Sequence, residues 1–141
     1  MRHKAILVLL ALAMPGLVSA SEAIVREFVD AYNNQDLTTM LSLCDDSVRW
    51  LAIEGDAVEV ITDGKEQLKS ALQADFAARR LVFSELIGVA ADGGMVTAIE
   101  KASRRGQPES LPKCSVSVYK TVAGRITEVW YFPAWNCGSE P

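Results

Sequence analysis

The sequence predicts an α+β domain in which three N-terminal helices lie on one face of a curved antiparallel sheet, making a cone with an open mouth. Two observations carry this. Helical spacing of apolar residues is confined to residues 22–80, and from Leu81 onward long strand-like runs alternate with short turns. No repeat or low-complexity segment interrupts that order.

Residues 22–33 place Ile24, Val25, Phe28, Val29 and Tyr32 on one helical face, with Ser21 as the expected cap and Asn33-Asn34 as the stop. Asp36 caps a short second helix carrying Leu37, Met40, Leu41 and Leu43. Val48 to Ile53 and Ala57 to Ile61, around Glu54-Gly55-Asp56, read as a hairpin. Asp63 and Glu66 have capping-box spacing for a third helix, with Leu68, Leu72 and Phe76 inward and an end near Arg80. Strands follow at Leu81–Val89, Met95–Ser103, Lys113–Val122 and Arg125–Phe132, the last two joined by Ala123-Gly124.

The first 20 residues read as an export signal: basic Met1-Arg-His-Lys4, an apolar run from Ala5 to Met14, and small residues at Val18-Ser-Ala20. The run breaks at Pro15-Gly16, short of the roughly 20 residues that span a bilayer, so no stable membrane anchor is expected. The domain is then 21–141, in the periplasm or secreted. Cleavage removes His3, the only histidine, and with it any imidazole base or ligand. It also takes two of the 14 basic residues, leaving 12 against 18 acids, a net charge of −6 that argues against nucleic acid. About 120 residues make one domain.

An oxidising compartment favours one disulfide among Cys44, Cys114 and Cys137. Cys114–Cys137 is the first choice, since Cys114 opens a strand and Cys137 follows the strand that pairs back on it; Cys44–Cys137 is second. Cys44 otherwise reads as a buried thiol. The acids Glu54, Asp56 and Glu59 ring a turn without the ordered spacing of a calcium loop, and no metal or cofactor motif is present.

Several strings in this order carry a resemblance: Phe28-Val-Asp-Ala-Tyr32 with Asn-Asn-Gln-Asp-Leu37, Asp45-Asp-Ser-Val48, Asp63-Gly-Lys-Glu-Gln-Leu68, and Gly124-Arg-Ile-Thr-Glu-Val-Trp-Tyr-Phe132. Over residues 22–135 the chain resembles the nuclear transport factor 2-like superfamily, a cystatin-like cone shared by ketosteroid isomerases, SnoaL-type polyketide cyclases and limonene-epoxide hydrolases. The resemblance implies a cavity lined by Phe28, Tyr32, Trp50, Phe76, Val116, Val118, Val129 and Tyr131. Those side chains equally suit a solid core.

Carried over residue by residue, the isomerase base falls on Trp50 and its oxyanion hole on Phe28 and Val116, none of which can serve. The hydrolase aspartate, arginine and aspartate fall on Ser103, Lys101 and Tyr131, so its carboxylates are not matched either. Glu100 is a further weak candidate, as a carboxyl in mid-strand; its favoured reading is a solvated face or an ion pair with Lys120 or Arg125. Alternation puts Glu100 opposite Lys101 and Ser103. Trp130 and Phe132 point away from Tyr131, and the resemblance implies a homodimer through that outer face. The favoured expectation is an exported, non-catalytic module for a small apolar or aromatic molecule. The alternatives are a SnoaL-like enzyme using Glu100, or Lys101, Ser103 and Tyr131, and a structural dimer with a collapsed pocket.

Overall fold

A computed structural model describes residues 18–78, 82–104 and 112–138. The apolar run of the expected signal, the expected helix end at Arg80 and most of the Arg104–Pro112 loop lie outside them. Helices α1 (Ala20–Asn33), α2 (Leu37–Ser42) and α3 (Lys65–Ala77) are interleaved with β1 (Cys44–Glu54) and β2 (Ala57–Asp63). Strands β3 (Val82–Asp92), β4 (Met95–Arg104), β5 (Lys113–Val122), β6 (Arg125–Tyr131) and β7 (Trp135–Asn136) follow. Among the described residues no helix is long and apolar enough to cross a membrane.

The strands form one sheet in the order β2-β1-β6-β5-β4-β3, with β7 beside β5. It is mixed rather than wholly antiparallel, because β6 returns parallel to β1 after the long excursion through α3 and β3–β5. Register shifts at Trp50/Leu51, Leu86/Gly88 and Lys120/Thr121 insert extra residues, and such bulges bend a sheet. The concave side takes the helices: α1 packs on β3 and β4, α3 on β1 and β2. Val25, Met40, Val48, Leu68, Ile126 and Val129 are fully buried between them. Truncating Leu68 to alanine there is expected to cost about 2–5 kcal/mol.

Two caps differ from expectation. The Ser19 side chain, not Ser21, accepts from Glu22 N–H, and the Ser21 hydroxyl instead donates to the Gly93 carbonyl at 3.0 Å. At α3 the cap position is Gly64, whose φ of 90° suits glycine and whose N–H donates to Val48 O at 2.8 Å. The Asp63 N–H is satisfied by Gln67 Oε1 at 2.9 Å, so no capping box forms. Cys114 and Cys137 are joined and hold β7 to the start of β5. Cys44 is a buried free thiol whose pKa burial pushes up to about 12, despite Lys65.

Candidate functional site

Between α1, α3 and the concave sheet lies a cavity of about 430 Å3, within the range of small-molecule sites. Its walls combine aliphatic side chains with the rings of Phe28, Tyr32, Trp50, Tyr119 and Tyr131. Phe28 meets Trp50 and Tyr119 edge to face, with centroids 6.3 and 6.2 Å apart, and Trp50 meets Tyr131 at 5.8 Å. These contacts fix ring orientation as well as bury area. The Trp50 indole N–H is buried without a hydrogen-bond partner among the described residues.

Glu100 forms the floor. It is 7% exposed, and its carboxylate accepts from three hydroxyls: Ser84 at 2.9 Å, Ser117 at 2.6 Å and Tyr119 at 2.5 Å. Each partner is set by the backbone. In β4–β5 register Glu100 faces Ser115, and Ser117 is the next inward residue on β5. Ser84 is clamped from α1, where the Asn33 side chain donates to its carbonyl and accepts from its N–H, both at 2.8 Å. The solvated face and the ion pairs expected for Glu100 are therefore absent. Arg125 donates to Ser42 O instead, and Lys120 is exposed.

Tyr131 OH lies 3.5 Å from Tyr119 OH. The single Tyr119 proton is committed to Glu100, so only Tyr131 can donate across this long gap, and its O–H remains available to a ligand. Burial, then the charges of Tyr131 and Glu100, raise the Tyr119 pKa well above normal; burial and Glu100 do the same for Tyr131. Both phenols are donors at neutral pH. A second polar pair lies on the helical side, where Tyr32 OH donates to Asp75 Oδ2 at 3.0 Å. Burial, aided by the Asp75 charge, pushes the Tyr32 phenol up to about 12.

Of the residues expected in the cavity, Phe28, Tyr32, Trp50 and Tyr131 line it. Val129 is sealed in the core, and Phe76 packs on Tyr32 at 5.7 Å without lining the space. Val116 and Val118 are corrected: they sit on the convex face. The cause is one residue. A hairpin of unbroken register around Ala123-Gly124 would pair Val118 with Val129 and Val116 with Tyr131. Thr127 is extra, so Tyr119 pairs with Val129 and Ser117 with Tyr131, and the whole inward set of β5 changes. Lys101 and Ser103 also face away, opposite Glu100 as alternation requires, and do not join it. Sequence reasoning missed Asp75, Ser84, Ser117 and Tyr119. The signal for the last two was polarity itself, Ser115-x-Ser117-x-Tyr119 at strand period. Among the described residues no cluster of three metal-ligating groups exists.

The SnoaL-like domain model matches residues 25–129, most of the chain. The chain belongs to the SnoaL-like domain family. The SnoaL-like fold recurs in an uncharacterised cystatin-fold protein of Novosphingobium aromaticivorans, 28% identical, with a TM-score of 0.68 over 84% of this chain and 100% of that one. It recurs in a putative ketosteroid isomerase of Kribbella flavida, 16% identical, with a TM-score of 0.66 over 86% and 82%. An LEH-like epoxide hydrolase of M. tuberculosis, 21% identical, gives 0.63 over 80% and 81%. These last two share the fold with this SnoaL-like domain. No curated protein matches the sequence.

Proposed function

We propose that this SnoaL-like domain is an exported acid–base enzyme that binds a small, largely apolar molecule and moves a proton on it through Glu100. The observation that carries the reading is a carboxylate at the floor of an aromatic cavity, aimed by Ser84, Ser117 and Tyr119. A carboxylate with two oxygens has about four acceptor sites, and three are engaged, so one remains for a substrate proton. Tyr131, protonated and weakly engaged, supplies a hydrogen bond to an oxygen on which negative charge develops. Apolar walls exclude water around both groups and strengthen their interactions. The expectation of a non-catalytic module assumed a cavity without an ionisable group, and Glu100 removes that premise.

Export is supported by the Cys114–Cys137 disulfide, which persists in oxidising compartments. The convex face carries Ile99 paired with Val116, and Val118 paired with Trp130. This apolar stripe supports pairing of two copies through the outer face. Val118→Lys is expected to leave a monomer in light scattering where the parent dimerises; a monomeric parent contradicts the pairing.

The test of the main reading uses 1-indanone as an apolar carbonyl probe in D2O, with mass spectrometry following deuterium at the carbon beside the carbonyl. The parent protein is expected to accelerate uptake. Glu100→Gln is expected to lose about 10²- to 10⁴-fold of that acceleration while 1-indanone still binds. Uptake that is unchanged in Glu100→Gln removes Glu100 from the chemistry. Binding of 1-indanone with no accelerated uptake in the parent returns the domain to a binding module.

A further inference from the structure

The cavity holds two carboxylates, Glu100 on the sheet and Asp75 on α3, and among the described residues neither has a cationic partner. No lysine, arginine or histidine lines the space. The ion pairs among the described residues, Arg26–Glu22 and Lys65–Asp46, lie elsewhere. Glu100 is buried and Asp75 half-buried, and carboxylates that share a cavity without a counter-charge repel any anionic ligand that enters. Around it stand the rings of Phe28, Tyr32, Trp50, Tyr119 and Tyr131, whose faces attract cations. Carboxylates and aromatic walls without a basic side chain are the complement of an organic cation.

We infer that the cavity takes an apolar molecule bearing one protonated amine, with the ammonium seated on Asp75 beside Tyr32 and the apolar body against the aromatic walls. Asp75 suits the anchor. Its Oδ2 accepts from Tyr32, and no hydrogen bond engages Oδ1 among the described residues. Its position on the helical side leaves Glu100, already held by three hydroxyls, facing the other end of the ligand. The two carboxylates thus divide the work: one holds the charge and the other exchanges the proton. This assignment of substrate class rests on the proton-transfer reading above, and the acidic chain as a whole favours approach of a cation.

The test uses three molecules of one skeleton, 1-aminoindane, 1-indanol and indane-1-carboxylate, with affinities measured by calorimetry at pH 7 and low salt. The amine is expected to bind at least tenfold more tightly than the alcohol, and the carboxylate more weakly than either. Asp75→Asn is expected to shrink the amine's advantage to threefold or less while leaving the alcohol's affinity unchanged. Tyr32→Phe keeps the carboxylate and is expected to keep most of the advantage, which separates loss of charge from loss of packing. Equal or tighter binding of the alcohol in the parent overturns the cation assignment, and so does an amine preference that survives Asp75→Asn. If the alcohol binds as well as the amine and 1-indanone still takes up deuterium through Glu100, the substrate class fails and the proton-transfer reading stands. If none of the probes binds, both fail.

Discussion

Around the cavity floor the two faces of the β4–β5–β6 region depart from the usual assignment of apolar residues inward and polar residues outward, which Val96, Ile126 and Val129 keep deeper in the core. The concave face carries Glu100, Ser115, Ser117, Tyr119 and Tyr131, whereas the convex face carries Ile99, Val116, Val118 and Trp130. In a sheet that only buries a core, that polarity would be a fault. Here the Ser117 and Tyr119 hydroxyls are spent on the Glu100 carboxylate, so the polarity of the concave face is satisfied from within, as the proposed site requires.

The sharpest way to break the comparison is to delete Thr127. Without that extra residue the β5–β6 hairpin must either close in the unbroken register, turning Ser117 and Tyr119 away from Glu100, or lose pairing. A loss of more than about 4 kcal/mol is expected in denaturant unfolding, against about 0.5 kcal/mol for Thr127→Ala. Equal, small losses would mean that the bulge does not set the faces. Next in size is removal of the disulfide by Cys137→Ser. For a sequence separation of 23 residues, loop closure alone predicts a loss of about 3 kcal/mol, read as a lower thermal midpoint.

A neighbouring pair of substitutions compares the faces directly. Ser117→Val takes a donor from Glu100 at a fully buried position and is expected to cost about 1–3 kcal/mol. Val118→Thr, half-buried and convex, is expected to stay within about 1 kcal/mol of the parent. The reverse order would exchange the faces. The smallest effect is confined to alkali. Tyr32, Tyr119 and Tyr131 have folded-state pKa values above the ordinary 10.0, so above pH 10 the unfolded chain gives up phenolic protons that the native state keeps. Stability is therefore level with respect to these groups below pH 10 and falls as pH rises toward about 12, where Tyr32 titrates. Tyr32→Phe is expected to lessen that fall in unfolding measured from pH 9 to 12.

The helices and strands were legible because their apolar spacing is regular: Val25, Phe28 and Val29 announce α1 as plainly as Leu68 and Leu72 announce α3. The parallel β1–β6 junction was not, since which strands lie side by side depends on the whole chain. The cavity was half legible. The resemblance placed Phe28, Tyr32, Trp50 and Tyr131 inward, where they line the cavity, but with Val116 and Val118 it turned β5 the wrong way round. Apolarity indicates burial, and a cavity floor that binds a carboxylate violates that rule by design. Asp75 gave no signal, because a lone acid between Ala74 and Phe76 on α3 looks solvated until Tyr32 is placed against it.

The account stands on Glu100 facing a ligand across the cavity floor. Carboxyl-carbon NMR of glutamate-labelled protein, titrated with 1-indanone, observes this most directly. The resonance that disappears in Glu100→Gln is predicted to move with saturation of the probe, while those of the convex residues Glu85 and Glu128 stay fixed. A Glu100 signal that ignores a bound probe, or moves no more than Glu85 and Glu128 do, would contradict the account.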